Sequence, residues 1–228
     1  MTAEWVSAWA TVAAAVGVLF VGWQAFSAAQ QLRYQKEQLE KTTDQLTLAY
    51  QEMQNDHERS RREFTISLMK DWTLNLSHSS TIARKLVEGF SFEQCKAINS
   101  HGLLKVEKSK KEKITAVLQD VLGGRTISEE NDFLVIEERD VSHLKYLLIT
   151  YLNTLETILM SWKLAVADKE ILEQEFSYLV KPEDGHEALA TFRQVVGGTN
   201  AYPAIHSFVE KIKLNREKTL PSNRGEVA

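Results

Sequence analysis

Helix breakers and cysteine are scarce in this sequence, and one long stretch near its start has no charge at all. Each scarcity excludes something. Cys95 is the only cysteine, so no internal disulfide can form; a disulfide scaffold is excluded and a reducing compartment suits the chain. A catalytic thiol needs a base beside it, and no neighbour in the sequence supplies one. Cys95 therefore reads as a small buried side chain. The first proline is Pro182, and no glycine occurs from Trp23 to Glu88. The two strongest helix breakers are absent from that whole stretch. A net charge of −4 excludes a protein built to coat nucleic acid.

From Trp5 to Gln31 there is no charged residue. Its core, Trp5 to Trp23, would span roughly 28 Å as a helix, about one hydrocarbon core. A helix satisfies its own backbone in lipid. Trp5, Trp9 and Trp23 sit toward the two ends, where indole rings favour the headgroup region. Ala10 with Ala14 and Ala13 with Gly17 are four apart, a spacing that permits close helix packing in a membrane. A cleaved signal peptide is the competing reading, because Ser27-Ala28-Ala29 resembles a cleavage site; against it, the first residues lack Lys or Arg and carry Glu4. An interfacial helix would need a strongly polar face, and a buried soluble helix is rarely this long without charge. Arg33, Lys36 and Lys41 follow the span. The positive-inside rule then places the N-terminus outside and the following domain in the cytoplasm, on an inner membrane crossed once.

Residues 28–64 are rich in Gln, Glu, Lys, Arg and Ala, good helix formers. Leu32, Leu39, Leu46 and Met53 recur every seven residues, a heptad stripe. With these as d positions, the a positions are Ala29, Lys36, Thr43, Tyr50 and His57. The seam is thus weak, and a straight helix here would be about 55 Å long. The expectation is self-association through stalk and membrane helix; a lone helix folding back on its own domain is the alternative.

The remainder is expected to be all-α. Phe64, Leu68, Met69 and Trp72 have helical spacing and open the packed domain. A helix over 79–89 would be capped by Ser79 or Ser80, and another begins at Ser91. Lys105 to Lys113, reading KVEKSKKEK, suggests phosphate or anionic lipid but lacks the aromatics that stack on bases; a solvated face is expected. Gly123-Gly124 stops a helix. His143 to Ala167 is the most apolar soluble stretch and should be the core helix. Within it Asn153 and Glu156 sit three apart, as a polar clamp or a ligand-facing pair, with Arg84, Arg139 or His186 as candidate partners for the carboxylate. Asp168 caps the next helix and Pro182 breaks it. A helix from Glu187 to Val196 ends at Gly197-Gly198, and Pro203 starts the last one. Only residues 132–136 look strand-like, and a sheet is not expected. The layout reads as a short tail (1–4), a transmembrane helix (5–27), a stalk (28–64), a cytoplasmic helical domain (65–214) and a flexible tail (215–228).

Three stretches together resemble the DUF4760 family of bacterial membrane proteins: Arg61-Arg62-Glu63-Phe64-Thr65 to Trp72, then Tyr151 to Ile158 with Asp168 after it, and Tyr202-Pro203. The resemblance implies a membrane helix, a Gln-rich helix and a helical domain, and no activity.

No familiar chemistry stands out. The six histidines are scattered, and none has metal-ligand spacing with another or with Cys95. No nucleophile elbow or dinucleotide fingerprint occurs. Glu137, Glu138 and Asp140 are neighbours that do not face one another on a helix. No cofactor is implied. The leading expectation is a membrane-anchored interaction or scaffold module, not an enzyme, with the bilayer, a second copy and an unidentified protein as partners. The alternatives are a membrane-acting effector or signalling component, including one in bacterial defence, and an enzyme with a site assembled from Glu156, Asn153 and distant residues.

Overall fold

The computed structural model describes residues 3–181 and 187–219; the side chains of residues 3–8, 13, 199 and 219 lie outside that description. Pro182, His186 and the tail from 220 onward are likewise outside it. The fold is all-α. The chain divides into two compact units, Met1–His57 and Glu58–Ala228.

The first unit belongs to helix α1, which runs unbroken over Ala3–Asn75. From Trp23 onward, missing breakers and a run of good helix formers account for that length. Its N-terminal part is long and apolar enough to cross a membrane, and none of that window is buried.

The second unit is built on α5 (Glu138–Lys163). The helical periodicity of Leu144, Leu148, Tyr151, Leu152, Leu155, Leu159 and Trp162 puts all of them on its buried face. The helix starts five residues before His143, at Glu138, and stops at Lys163, short of Ala167. Helices α2 (His78–Val87), α3 (Phe92–Asn99), α4 (Lys111–Leu122) and α9 (Pro203–Thr219) pack on it. The end of α1 contributes Thr65 and Trp72, both buried; seven residues apart, they share one face. Trp72 meets Tyr151 and Phe176 edge-on, with ring centroids 5.6 and 5.5 Å apart. Trp162 meets Phe208 in the same way, and its Nε1 donates to Glu173 Oε1 at 3.0 Å. Short helices α6 (Lys169–Phe176), α7 (Ala190–Val196) and α8 (Gly198–Ala201) complete the unit, with 3-10 turns at Lys108–Lys110 and Ser177–Val180.

Local signals set most helix ends. Ser91 Oγ accepts from Gln94 N–H while the Gln94 side chain accepts from Ser91 N–H, a reciprocal capping box. Asp168 caps α6 as expected, accepting from the N–H groups of Glu170 and Ile171. Gly123 ends α4 with φ 53°, the left-handed conformation glycine adopts without strain. The cap of α2 is Ser77, not Ser79 or Ser80; Ser80 is buried and its N–H and hydroxyl both bond Ser77 Oγ.

A small sheet corrects the expectation of none. Strands β1 (Leu104–Glu107), β2 (Ser128–Glu130) and β3 (Phe133–Ile136) pair antiparallel in the order β1-β3-β2. Leu104, Val106, Leu134 and Ile136 are buried, the inward face of a period-2 pattern. The β2–β3 hairpin turns at Asn131, whose φ of 50° suits asparagine. A second correction concerns the C-terminus. The chain remains helical past Leu214, to Thr219, because Arg216 donates to the carbonyls of Val180 and Ser177. A third is that the helix expected from Glu187 begins at Ala190, since Ala188 and Leu189 are left-handed.

Leu152 is fully buried at the centre of α5. Leu152→Ala should destabilise the protein by about 2–5 kcal/mol through lost burial and a residual cavity. Denaturant unfolding of the detergent-solubilised chain, followed by tryptophan fluorescence, measures this; a cost below about 1 kcal/mol would contradict the packing.

Candidate functional site

Glu156 is a clamp, and its partners are backbone groups. Its Oε1 accepts from Ala204 N–H at 2.8 Å and its Oε2 from Ile205 N–H at 2.9 Å. These are donors of the first turn of α9, left over where a helix starts. Pro203 has no N–H to satisfy, which suits that position. Asn153 does not share the task. It is exposed and lines a different feature, a shallow cleft with Leu68, Asp71, Trp72, Asn75 and Thr157. The expected pair is therefore split. Of the expected partners, Arg84 lies 3.7 Å from Glu88 and His186 is outside the described residues.

The stretches that carry the family resemblance meet in space. Asp168 N–H donates to Thr65 Oγ1 at 2.7 Å, and Thr65 passes its own proton to Arg61 O. Arg62 Nε lies 3.5 Å from Asp168 Oδ2. Glu156 in the second stretch holds the helix that begins at Pro203 in the third. The backbone contacts satisfy polar groups that burial would otherwise leave costly, while Arg62 is exposed.

The densest polar cluster was not anticipated. Glu88, at the end of α2, accepts from Glu187 N–H at 2.7 Å and Leu189 N–H at 3.0 Å. Arg84, one turn earlier, and Arg193 of α7 are both buried, and Arg193 Nε donates to Ala188 O at 2.7 Å. Two side chains thereby grip one strained turn: Ala188 and Leu189 have φ 51° and 54°, a conformation costing ~1–2 kcal/mol per residue. Burial pushes the Glu88 carboxyl above its usual range, against the lowering effects of the two N–H groups and Arg84. Cys95 nearby is buried, and burial, then Glu88, pushes its thiol up to about 11. That is the reverse of a reactive thiol. Burial also raises Tyr151 and Tyr178. The cluster holds a turn; it does not activate a nucleophile.

Ser142 and His101 come together unexpectedly, with Nδ1 2.8 Å from Oγ. Ser142 donates its one proton to Glu138 O, so the His101 Nδ1–H is the donor of this pair. Nε2 then accepts from Lys145 Nζ at 3.2 Å, and Lys145 also donates to Asn99 O. The three residues clasp the 99–102 loop to α5, and the serine proton points away from the imidazole. Three lysines of the run are paired from within the fold. Lys105 pairs with Glu130, and Lys108 and Lys111 with Glu129, at 2.7–2.9 Å. Hydrogen bonds from Lys111 and then Lys108 hold the Glu129 carboxyl down to about 2. Lys110 lies over the Phe90 ring at 5.0 Å. Among the described residues no three His, Cys, Asp or Glu side chains gather as a metal would require.

In the first unit, Trp9 and Trp23 are exposed; Trp5 lies on α1 with its side chain outside the description. A Cβ added at Gly17 would meet nothing within 4 Å. The stripe residues Leu32, Leu39, Leu46 and Met53 are 66, 70, 67 and 62% exposed, so this unit leaves the whole apolar seam in contact with its surroundings. No family model, curated protein or solved structure matches the chain.

The Arg84–Glu88 spacing of four was readable in the sequence; Thr65 with Asp168, and Glu88 with residues 187 and 189, lie about a hundred positions apart and leave no local trace.

Glu156→Ala should cost about 1–3 kcal/mol, by orphaning two N–H groups, while Asn153→Ala should change stability little; equal effects in thermal unfolding would refute the split. Glu88 carries a sign that can be tested. Its folded-state pKa is raised, so the folded protein holds this proton more tightly than the unfolded chain. Stability should fall as pH rises from the ordinary carboxyl value of 4.5 through the folded value. Glu88→Gln should flatten that part of the profile in denaturant titrations across pH, and an unchanged slope would refute the assignment.

Proposed function

We propose that this protein is a membrane-anchored scaffold that self-associates through its N-terminal helix and the stalk that follows. The observation that carries this is the character of α1. A segment without charge, long and apolar enough to cross a bilayer, is followed on the same helix by an exposed heptad stripe. Water is a poor environment for the first, and the second is a recognised seam for helix pairing. The chain lies in the inner membrane, with its helical domain in the cytoplasm. The domain presents surfaces to an unidentified protein and is not an enzyme. The link to DUF4760 is part of the same proposal. It rests on the sequence resemblance of the three stretches alone.

The protein should stay in the pellet after an alkaline carbonate wash and should migrate as discrete oligomers after crosslinking in membranes. Deleting residues 28–64 should abolish the oligomers while leaving the protein in the pellet. Recovery in the wash supernatant, or unchanged oligomers after the deletion, would overturn the reading.

A further inference from the structure

The seam has a direction. We infer that its occupant is a second copy of this chain lying parallel and in register, with Leu32, Leu39, Leu46 and Met53 each facing their own counterparts. This rests on the anchored, self-associating reading above.

Two observations carry it. The first is continuity: the stalk and the apolar segment are one unbroken helix, Ala3–Asn75. Two chains threaded the same way through one bilayer therefore present their stalks in the same direction, and antiparallel pairing would need opposed membranes. The second is how the seam handles its polar a positions. Thr43 Oγ1 already donates to Leu39 O at 2.8 Å, and Tyr50 OH accepts from Gln54 Nε2 at 2.9 Å. Each hydroxyl thus keeps one partner within its own chain on entering a paired layer, and the Tyr50 O–H proton is left to find water at the edge of the seam. The ion pair Glu37–Lys41, at 2.8 Å, falls at b and f, on the face opposite the seam. Lys36 and His57 are the exceptions: in register, two imidazoles face each other beyond Met53, and two ammonium groups share one layer between Leu32 and Leu39. Their stems can snorkel outward, and the pair is left loose and reversible. A polar residue at one a position fixes register and strand number at a cost in stability.

The test uses the full-length protein in its membranes, with a short bis-maleimide. Cys95 is buried and gives little background. Leu46→Cys should crosslink to itself. Asp44→Cys, at the outer b position, should not. Co-expressed Leu32→Cys and Met53→Cys chains should give no mixed product. Lys36→Ile should tighten association by about tenfold or more, measured by dilution in detergent, since apolar burial replaces a shared charge. All four cysteine sites are exposed, so the variants should fold; Leu39→Cys serves as a second reporter of the seam. Mixed 32–53 crosslinks with oligomers intact would overturn the parallel register alone. Equal crosslinking at 44 and 46 would overturn the specific seam. A monomer by native mass, without crosslinks, would overturn self-association as well.

Discussion

A helix that starts inside a packed domain brings N–H groups that its own backbone cannot satisfy, and this constraint organises the C-terminal half of the second unit. Carboxylates answer it three times. Asp168 covers the start of α6, Glu88 the turn before α7, and Glu156 the start of α9. In the last two the acid lies on a distant helix, so capping also fastens a late segment to α2 or α5. The same bonds that satisfy the backbone thus determine where these helices sit on the core.

This explains what could be read from the sequence and what could not. The helix α5 was legible because its apolar residues keep a 3.6-residue period over many turns. The caps at Ser91 and Asp168 and the stop at Gly123 were legible because their signals are local. The sheet was not, since strands of three and four residues are too short to establish a period, and β1 begins the lysine-rich run. The partner of Glu156 was sought among cations, whereas the structure supplies backbone donors, which have no residue type to search for. The pairing of Lys105, Lys108 and Lys111 with Glu129 and Glu130 was hidden for a related reason: β2 and β3 had to exist before those acids could approach.

The two units make contrasting use of apolar surface. In the second, the leucines of α5 are enclosed, and the buried carboxylate and guanidinium groups described above are bonded to backbone or to each other, while His143 Nε2 on α5 is buried without a hydrogen-bond partner. In the first, the apolar residues of the seam remain uncovered. Exposed surface of that regularity has the periodicity of a partner helix rather than of random wear.

The placement of tryptophan divides the molecule optically. Trp72 and Trp162 are enclosed by aromatic neighbours, while Trp9 and Trp23 lie on the open surface of α1. Emission from the enclosed pair reports the integrity of the helical domain. The indoles near the start answer instead to the polarity of whatever surrounds α1. One unlabelled sample thus carries two kinds of indole, one enclosed by the fold and one open to its surroundings.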